Sequence, residues 1–128
     1  MNIMRPTYKE LTNKLRDAGA FVSGERVFIL NVDAVACDAL ELEYLIETDL
    51  LEDLSYILDE MTPDHYAGQM PPEKSYEQKI KNLELFAFRI DSRRYRDEVY
   101  LKFSLSEDAL WLVSLHRNRQ KRRAFYGN

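Results

Sequence analysis

From Leu85 onward, apolar and polar side chains alternate in three consecutive runs. In LFAFRID, 85–91, Phe86, Phe88 and Ile90 alternate with Ala87 and Arg89. In EVYLKFSL, 98–105, Val99, Leu101, Phe103 and Leu105 alternate with Tyr100, Lys102 and Ser104. The last run sets Trp111, Val113 and Leu115 on one face, with Ser114 and His116 on the other. A period of two is the signature of a strand with one face toward a core. Only short links separate the runs, so they predict an antiparallel meander. Parity then collects Arg89, Tyr100, Lys102, Ser114 and His116 on the face opposite the shared core.

The preceding half reads as helix. Pro6-Thr7 opens TYKELTNKLRDAG, where Tyr8, Leu11 and Leu15 recur at helical spacing and Gly19 is the predicted stop. A short β-like run, Val27 to Leu30, follows the turn-forming Ser23-Gly24, and Asp33 or Asp38 is placed to cap the next helical region. From Leu40 to Met61, Leu42, Leu45 and Ile46, then Leu50, Leu54, Ile57 and Leu58, fall on helical steps. Thr48-Asp49 is expected to divide this stretch, with Thr48 capping the second helix, and Thr62-Pro63 to end it. Residues 62–76 hold three of the four prolines and form the longest irregular stretch, a kind of loop that often carries function. A short helix is predicted over Tyr76 to Asn82. The expected fold class is α+β, with N-terminal helices packed on a C-terminal antiparallel sheet of three or more strands. One domain is expected over 1–128: 6–61 mainly helical, 62–83 loop and short helix, 84–117 sheet and 118–128 a basic tail.

Length and composition agree with one soluble domain: 128 residues, 45% hydrophobic and 31% charged. Arg5 and Lys9 precede any apolar run, which predicts no signal peptide. No stretch approaches the ~20 apolar residues of a membrane span, so the expected location is cytoplasmic. Cys37, the single cysteine, makes no internal disulfide and is expected to fill a core gap.

Net charge is −4, but it is distributed unevenly. Val27 to Glu73 carries twelve acidic residues and no lysine or arginine, whereas Arg89 to Arg123 carries ten basic residues against five acidic ones. The split suggests one surface for an anionic partner and another for a different contact, or an acidic half that is simply the solvated face of a helix pair.

The chemistry-bearing residues concentrate on the outer sheet face and just beyond it. His116 has an unperturbed pKa of about 6.5, so it can act as acid or base near neutrality. Arg89 and Lys102 can steady phosphoryl charge, and Tyr100 can donate a hydrogen bond or stack on a base. HRNRQKRR supplies Arg117, Arg119, Lys121, Arg122 and Arg123 ahead of Phe125 and Tyr126, a mixture that suits phosphate contact with base stacking. Arg93 and Arg94 extend the cationic set. In the loop, His65 and Tyr66 can add to the chemistry if the segment folds over the sheet. Each feature also has a plain reading: one solvated sheet face, and a frayed basic terminus that aids solubility. Two histidines without a carboxylate cluster predict no metal site, and there is no P-loop, dinucleotide fingerprint, nucleophile elbow or HExxH. No cofactor is expected.

The motifs MTPDHY (61–66), LFAF (85–88), EVYLKF (98–103) and LVSLH (112–116) resemble the MqsR-type toxins of bacterial toxin–antitoxin systems, which have a RelE-like ribonuclease fold. The resemblance spans roughly 40 to 117. It implies a metal-independent, sequence-biased endoribonuclease, an mRNA interferase, that is neutralised by a cognate antitoxin protein. It also implies functional roles for Tyr100 and His116. Two positions depart from the family pattern: Ala67 stands where the family has lysine, and Phe86 near its glutamine. The partners expected are therefore RNA, specifically mRNA, and an antitoxin; a homo-oligomer stays open, and no membrane is involved. The alternative reading is a non-catalytic RNA- or protein-binding regulatory module with a degenerate toxin fold. A third is an interaction domain working through its acidic helices.

Overall fold

A computed structural model describes residues 6–68 and 83–117. Helix α1, Tyr8–Ser23, begins at a capping box: the Thr7 hydroxyl accepts the Glu10 N–H at 3.1 Å, and the Thr7 N–H donates to Glu10 Oε1 at 2.8 Å. Hydrogen bonds to its carboxylate, first from the Thr7 backbone N–H and then from the Thr7 side chain, hold the Glu10 carboxyl below its ordinary value. Leu11, Leu15, Ala18 and Val22 form its buried stripe. The helix passes through Gly19 and ends at Gly24 instead. A glycine in a helix interior is tolerated when the apolar stripe continues past it, as Val22 does here.

Helix α2 spans Val32–Leu42 and α3 spans Leu50–Glu60, with strand β1, Val27–Ile29, before them. The cap of α2 is Asn31, whose Oδ1 accepts the Ala34 N–H at 3.0 Å, in place of the predicted Asp33 or Asp38. The chain leaves the helix at Glu43, which has φ 63°, so the break before α3 is wider than Thr48-Asp49. Thr48 does not cap α3. Asp49 precedes the helix, and its Oδ2 accepts the Leu45 N–H at 2.8 Å, closing the connection on itself.

After a 3-10 turn at Pro63–His65 come β2 (Tyr66–Gly68), β3 (Leu85–Ser92), β4 (Asp97–Leu105) and β5 (Leu110–Arg117). Among the described residues, five strands form one sheet in the order β1-β5-β4-β3-β2. The predicted meander β3-β4-β5 is antiparallel, but β1 lies parallel to β5. The sheet is therefore mixed rather than purely antiparallel. The short early strand reaches the meander's edge from the N-terminal half, with α2 and α3 following it in the chain.

One irregularity decides the faces of β5. Lys102 pairs with Ser114 and Phe103 with Leu112, so Val113 is an extra residue with no partner on β4. The bulge lets Leu110, Leu112 and Leu115 all reach the helix side despite their uneven spacing. Trp111 and Val113 are consequently not on the face of Leu115, as strict alternation predicts. They join Leu30, Leu83 and Leu85 in a small cluster on the outer face. The main core lies between the helices and the inner face, where Phe88 and Phe103 stack at 5.9 Å beside Leu54, Ile57 and Val35. Cys37 is exposed on α2 and fills no core gap. Among the described residues, no helix is long and apolar enough to cross a membrane.

Candidate functional site on the outer face of the sheet

The strand register sets three cross-strand rows on the outer face. Arg89, Tyr100 and His116 form one row, and Ala87, Lys102 and Ser114 the next. Leu85, Ser104 and Trp111 form the third, with Phe28 of β1 opposite Trp111. Side chains directly opposite on neighbouring strands touch. The Tyr100 and His116 rings accordingly stack, with centroids 5.2 Å apart and planes at 24°. His116 Nδ1 lies 2.6 Å from the carbonyl oxygen of Arg117.

Accessibility changes along this face. Arg89 is exposed and has no ion pair among the described residues, while Tyr100 and His116 are half-buried. One row further on, Lys102 is only 3% exposed and Ser104 is fully buried. The Ser104 hydroxyl has no hydrogen-bond partner among the described residues. The accessible chemistry is therefore the Arg89–Tyr100–His116 row. Lys102 shares the face but is not an open contact.

Other cations expected at the site are engaged elsewhere. Arg94 donates from Nε to Asp53 at 2.9 Å, reaches Glu52 at 3.3 Å, and lies 4.8 Å over the Tyr56 ring. Its hydrogen bond to Asp53 holds its proton more tightly than usual. The Arg93 peptide N–H donates to Glu60 at 3.1 Å, although its side chain is 87% exposed. Arg117 donates from Nε to Asp97 at 2.8 Å. Part of the acidic block thus meets part of the basic block inside the fold, and Arg94 and Arg117 serve as ion-pair partners rather than free cations. Arg119, Lys121, Arg122 and Arg123 lie outside the described residues, as do the helix predicted at 76–82 and most of the proline-rich stretch.

The loop pair does not join the row. His65 Nδ1 accepts the Thr62 N–H at 2.9 Å and so caps the 3-10 turn. Tyr66 pairs with Phe88 and packs on its ring at 5.7 Å, on the helix side of the sheet. Among the described residues no group of three or more His, Cys, Asp or Glu side chains is placed to hold a metal ion.

Sequence reasoning missed the residues that seat β5. Because β1 ends at Ile29, opposite Leu112, the rest of β5 has no strand on its outer edge among the described residues. Side chains from α2 and its exit supply the missing bonds. Asp38 Oδ2 accepts the Leu115 N–H at 3.2 Å, the Tyr44 hydroxyl donates to the Leu115 carbonyl at 3.3 Å, and Glu41 accepts the Arg117 N–H at 3.3 Å. Their i, i+3, i+6 spacing was the available signal, hidden because acids on a helix normally read as solvated. Burial, then the nearby Asp38 and Asp53 carboxylates, push the Tyr44 phenol far above its ordinary pKa.

On the helix side, a cleft of about 590 Å³ opens between α1 and α3, lined by Tyr8, Arg16, Gly19, Asp59 and Pro63 among others. No family model matches the chain, and neither a curated protein nor a solved structure matches it.

Proposed function

We propose that the chain is an endoribonuclease of the mRNA-interferase type, with a RelE-like fold and a cognate antitoxin as its neutralising partner. The observation that carries this reading is the cross-strand row of Arg89, Tyr100 and His116, with the imidazole stacked on the phenol. A rigid sheet holds an acid/base group, an aromatic surface and an exposed cation side by side, the set that RNA cleavage by side chains needs. The motif resemblance at 98–103 and 112–116 assigns the same tyrosine and histidine.

In the proposed reaction the ribose 2′-oxygen loses its proton to a base and attacks the adjacent phosphorus. The P–O5′ bond breaks, the leaving O5′ receives a proton, and a 2′,3′-cyclic phosphate remains. His116 serves as the acid or base, Arg89 steadies the charge on the phosphoryl oxygens, and Tyr100 supports a base or the imidazole. Incubating purified protein with mRNA, with and without a metal chelator, tests this. The expected result is cyclic-phosphate ends in both cases and their loss in His116→Ala. Cleavage by His116→Ala at the wild-type rate would remove His116 from the mechanism.

A second reading is favoured by the withdrawal of Lys102, Arg94 and Arg117 from open contact: a module that binds RNA without cutting it. Salt-sensitive binding with intact RNA after long incubation would select it.

A further inference from the structure

We infer that Asp97 and Glu41 are positioning residues for His116, acting through Arg117 to hold the imidazole in its Nδ1–H tautomer with Nε2 as the basic atom.

A carbonyl oxygen only accepts hydrogen bonds, so an Nδ1 atom 2.6 Å from the Arg117 carbonyl must carry the hydrogen. Neutral His116 then has its lone pair on Nε2. The tautomer is as well defined as the carbonyl that selects it, and the residue carrying that carbonyl is held from two directions. The Arg117 N–H donates to Glu41 Oε1 at 3.3 Å, and its Nε donates to Asp97 Oδ2 at 2.8 Å. Asp97 is itself held, its other carboxylate oxygen accepting the Glu98 N–H at 2.7 Å. On the preceding side, Asp38 and Tyr44 grip both backbone groups of Leu115. The peptides on either side of His116 are therefore held by side chains of α2 and its exit, Asp38, Glu41 and Tyr44.

The other histidine provides an internal contrast. The Thr62 N–H donates to His65 Nδ1, so that nitrogen must be bare and the hydrogen must sit on Nε2. The two histidines of the chain are required to be opposite tautomers.

Long-range proton–nitrogen spectra of the 15N-labelled full chain, taken where both imidazoles are neutral, read this directly. The expected result is Nδ1–H for His116 and Nε2–H for His65. In Asp97→Ala and in Glu41→Ala, His116 should shift toward a tautomer mixture while His65 stays unchanged. Asp97→Asn keeps an oxygen for Arg117 Nε and should restore most of the Nδ1–H form. The consequence for rate rests on the ribonuclease reading: kcat should fall about tenfold in the alanine variants with KM unchanged. An Nε2–H pattern at His116 in the wild type overturns the inference, as does an unchanged tautomer in both alanine variants. The wild-type spectrum decides the tautomer even if a variant fails to fold, and either alanine variant that folds decides the role of its own carboxylate. It needs no RNA, so absence of cleavage would count against the proposed function and leave the tautomer assignment standing.

Discussion

Replacing Asp53 with alanine should be among the most destabilising single changes at the junction of α3 with the β3–β4 turn. Asp53 is 3% exposed, and its carboxylate accepts two bonds, from Arg94 Nε at 2.9 Å and from the Tyr95 hydroxyl at 2.5 Å. The Arg94 bond is charge-assisted, but the guanidinium is 38% exposed and retains Glu52, so about 1.5 kcal/mol is the appropriate scale for it. Losing the second bond leaves the half-buried Tyr95 hydroxyl without its acceptor, which costs about another 1.5 kcal/mol. The total is about 3 kcal/mol, at the lower edge of what breaking a buried pair costs. With an m-value of about 2 kcal/mol/M, the urea midpoint should fall by about 1.5 M. Asp53→Asn keeps one acceptor oxygen and should lose about half as much. Equilibrium urea unfolding followed by far-UV circular dichroism is the assay. A midpoint for Asp53→Ala within about 0.3 M of wild type would refute the claim that this carboxylate ties α3 to the turn.

Arg89→Ala should weaken RNA binding and reduce the slope of log K against log salt by about 1, with stability changed by no more than about 0.5 kcal/mol; an unchanged slope would remove Arg89 from the interface. Arg94→Ala should do the reverse, lowering the urea midpoint while leaving RNA affinity intact. An alanine Cβ at Gly19 would meet no atom within 4 Å, so Gly19→Ala should stabilise the protein by about 0.5–1 kcal/mol, and a lower midpoint would contradict the open geometry. Tyr44 and Tyr95 have pKa values raised chiefly by burial. Their stabilising contribution is complete below the unfolded value of about 10 and is lost as pH rises from there through the folded value. Urea midpoints measured from about pH 9 to 11 should fall with pH, and the fall should be shallower in Tyr44→Phe; equal slopes would refute the assignment.

The meander could be read from the chain because period-two alternation is a local property that the sheet keeps in β3 and β4. The same rule failed in β5, where the spacing of two and then three residues between Leu110, Leu112 and Leu115 required a bulge. The pairing of β1 with β5 was not legible, since a strand of three residues carries little pattern and its partner lies far along the chain. Gly19 looked like a stop because glycine is costly inside a helix, but Val22 and Ala18 bury enough apolar surface to carry α1 past it. Asn31 was overlooked as a cap for α2 because the helical pattern is strongest later. At the site, the shared face of Arg89, Tyr100 and His116 followed from parity, while their alignment in one row came from the strand register. The fate of Arg94 and Arg117 did not follow from parity, because ion pairs between distant elements leave no periodic trace. Tyr66 was misplaced for a related reason: nothing in MTPDHY says which side of the sheet its aromatic ring will meet.

The bulge at Val113 has a consequence for comparing this chain with others. A regular last strand carrying the same inward leucines would be one residue shorter, with Ser114 following Leu112 directly. Aligning the chain to such a protein demands a one-residue gap at Val113. Without it, every position from Ser114 to Arg117 is matched to a residue on the opposite side of the sheet. His116 would then be compared with an inward apolar residue, and the equivalence of two histidines, or its absence, would be judged at the wrong column.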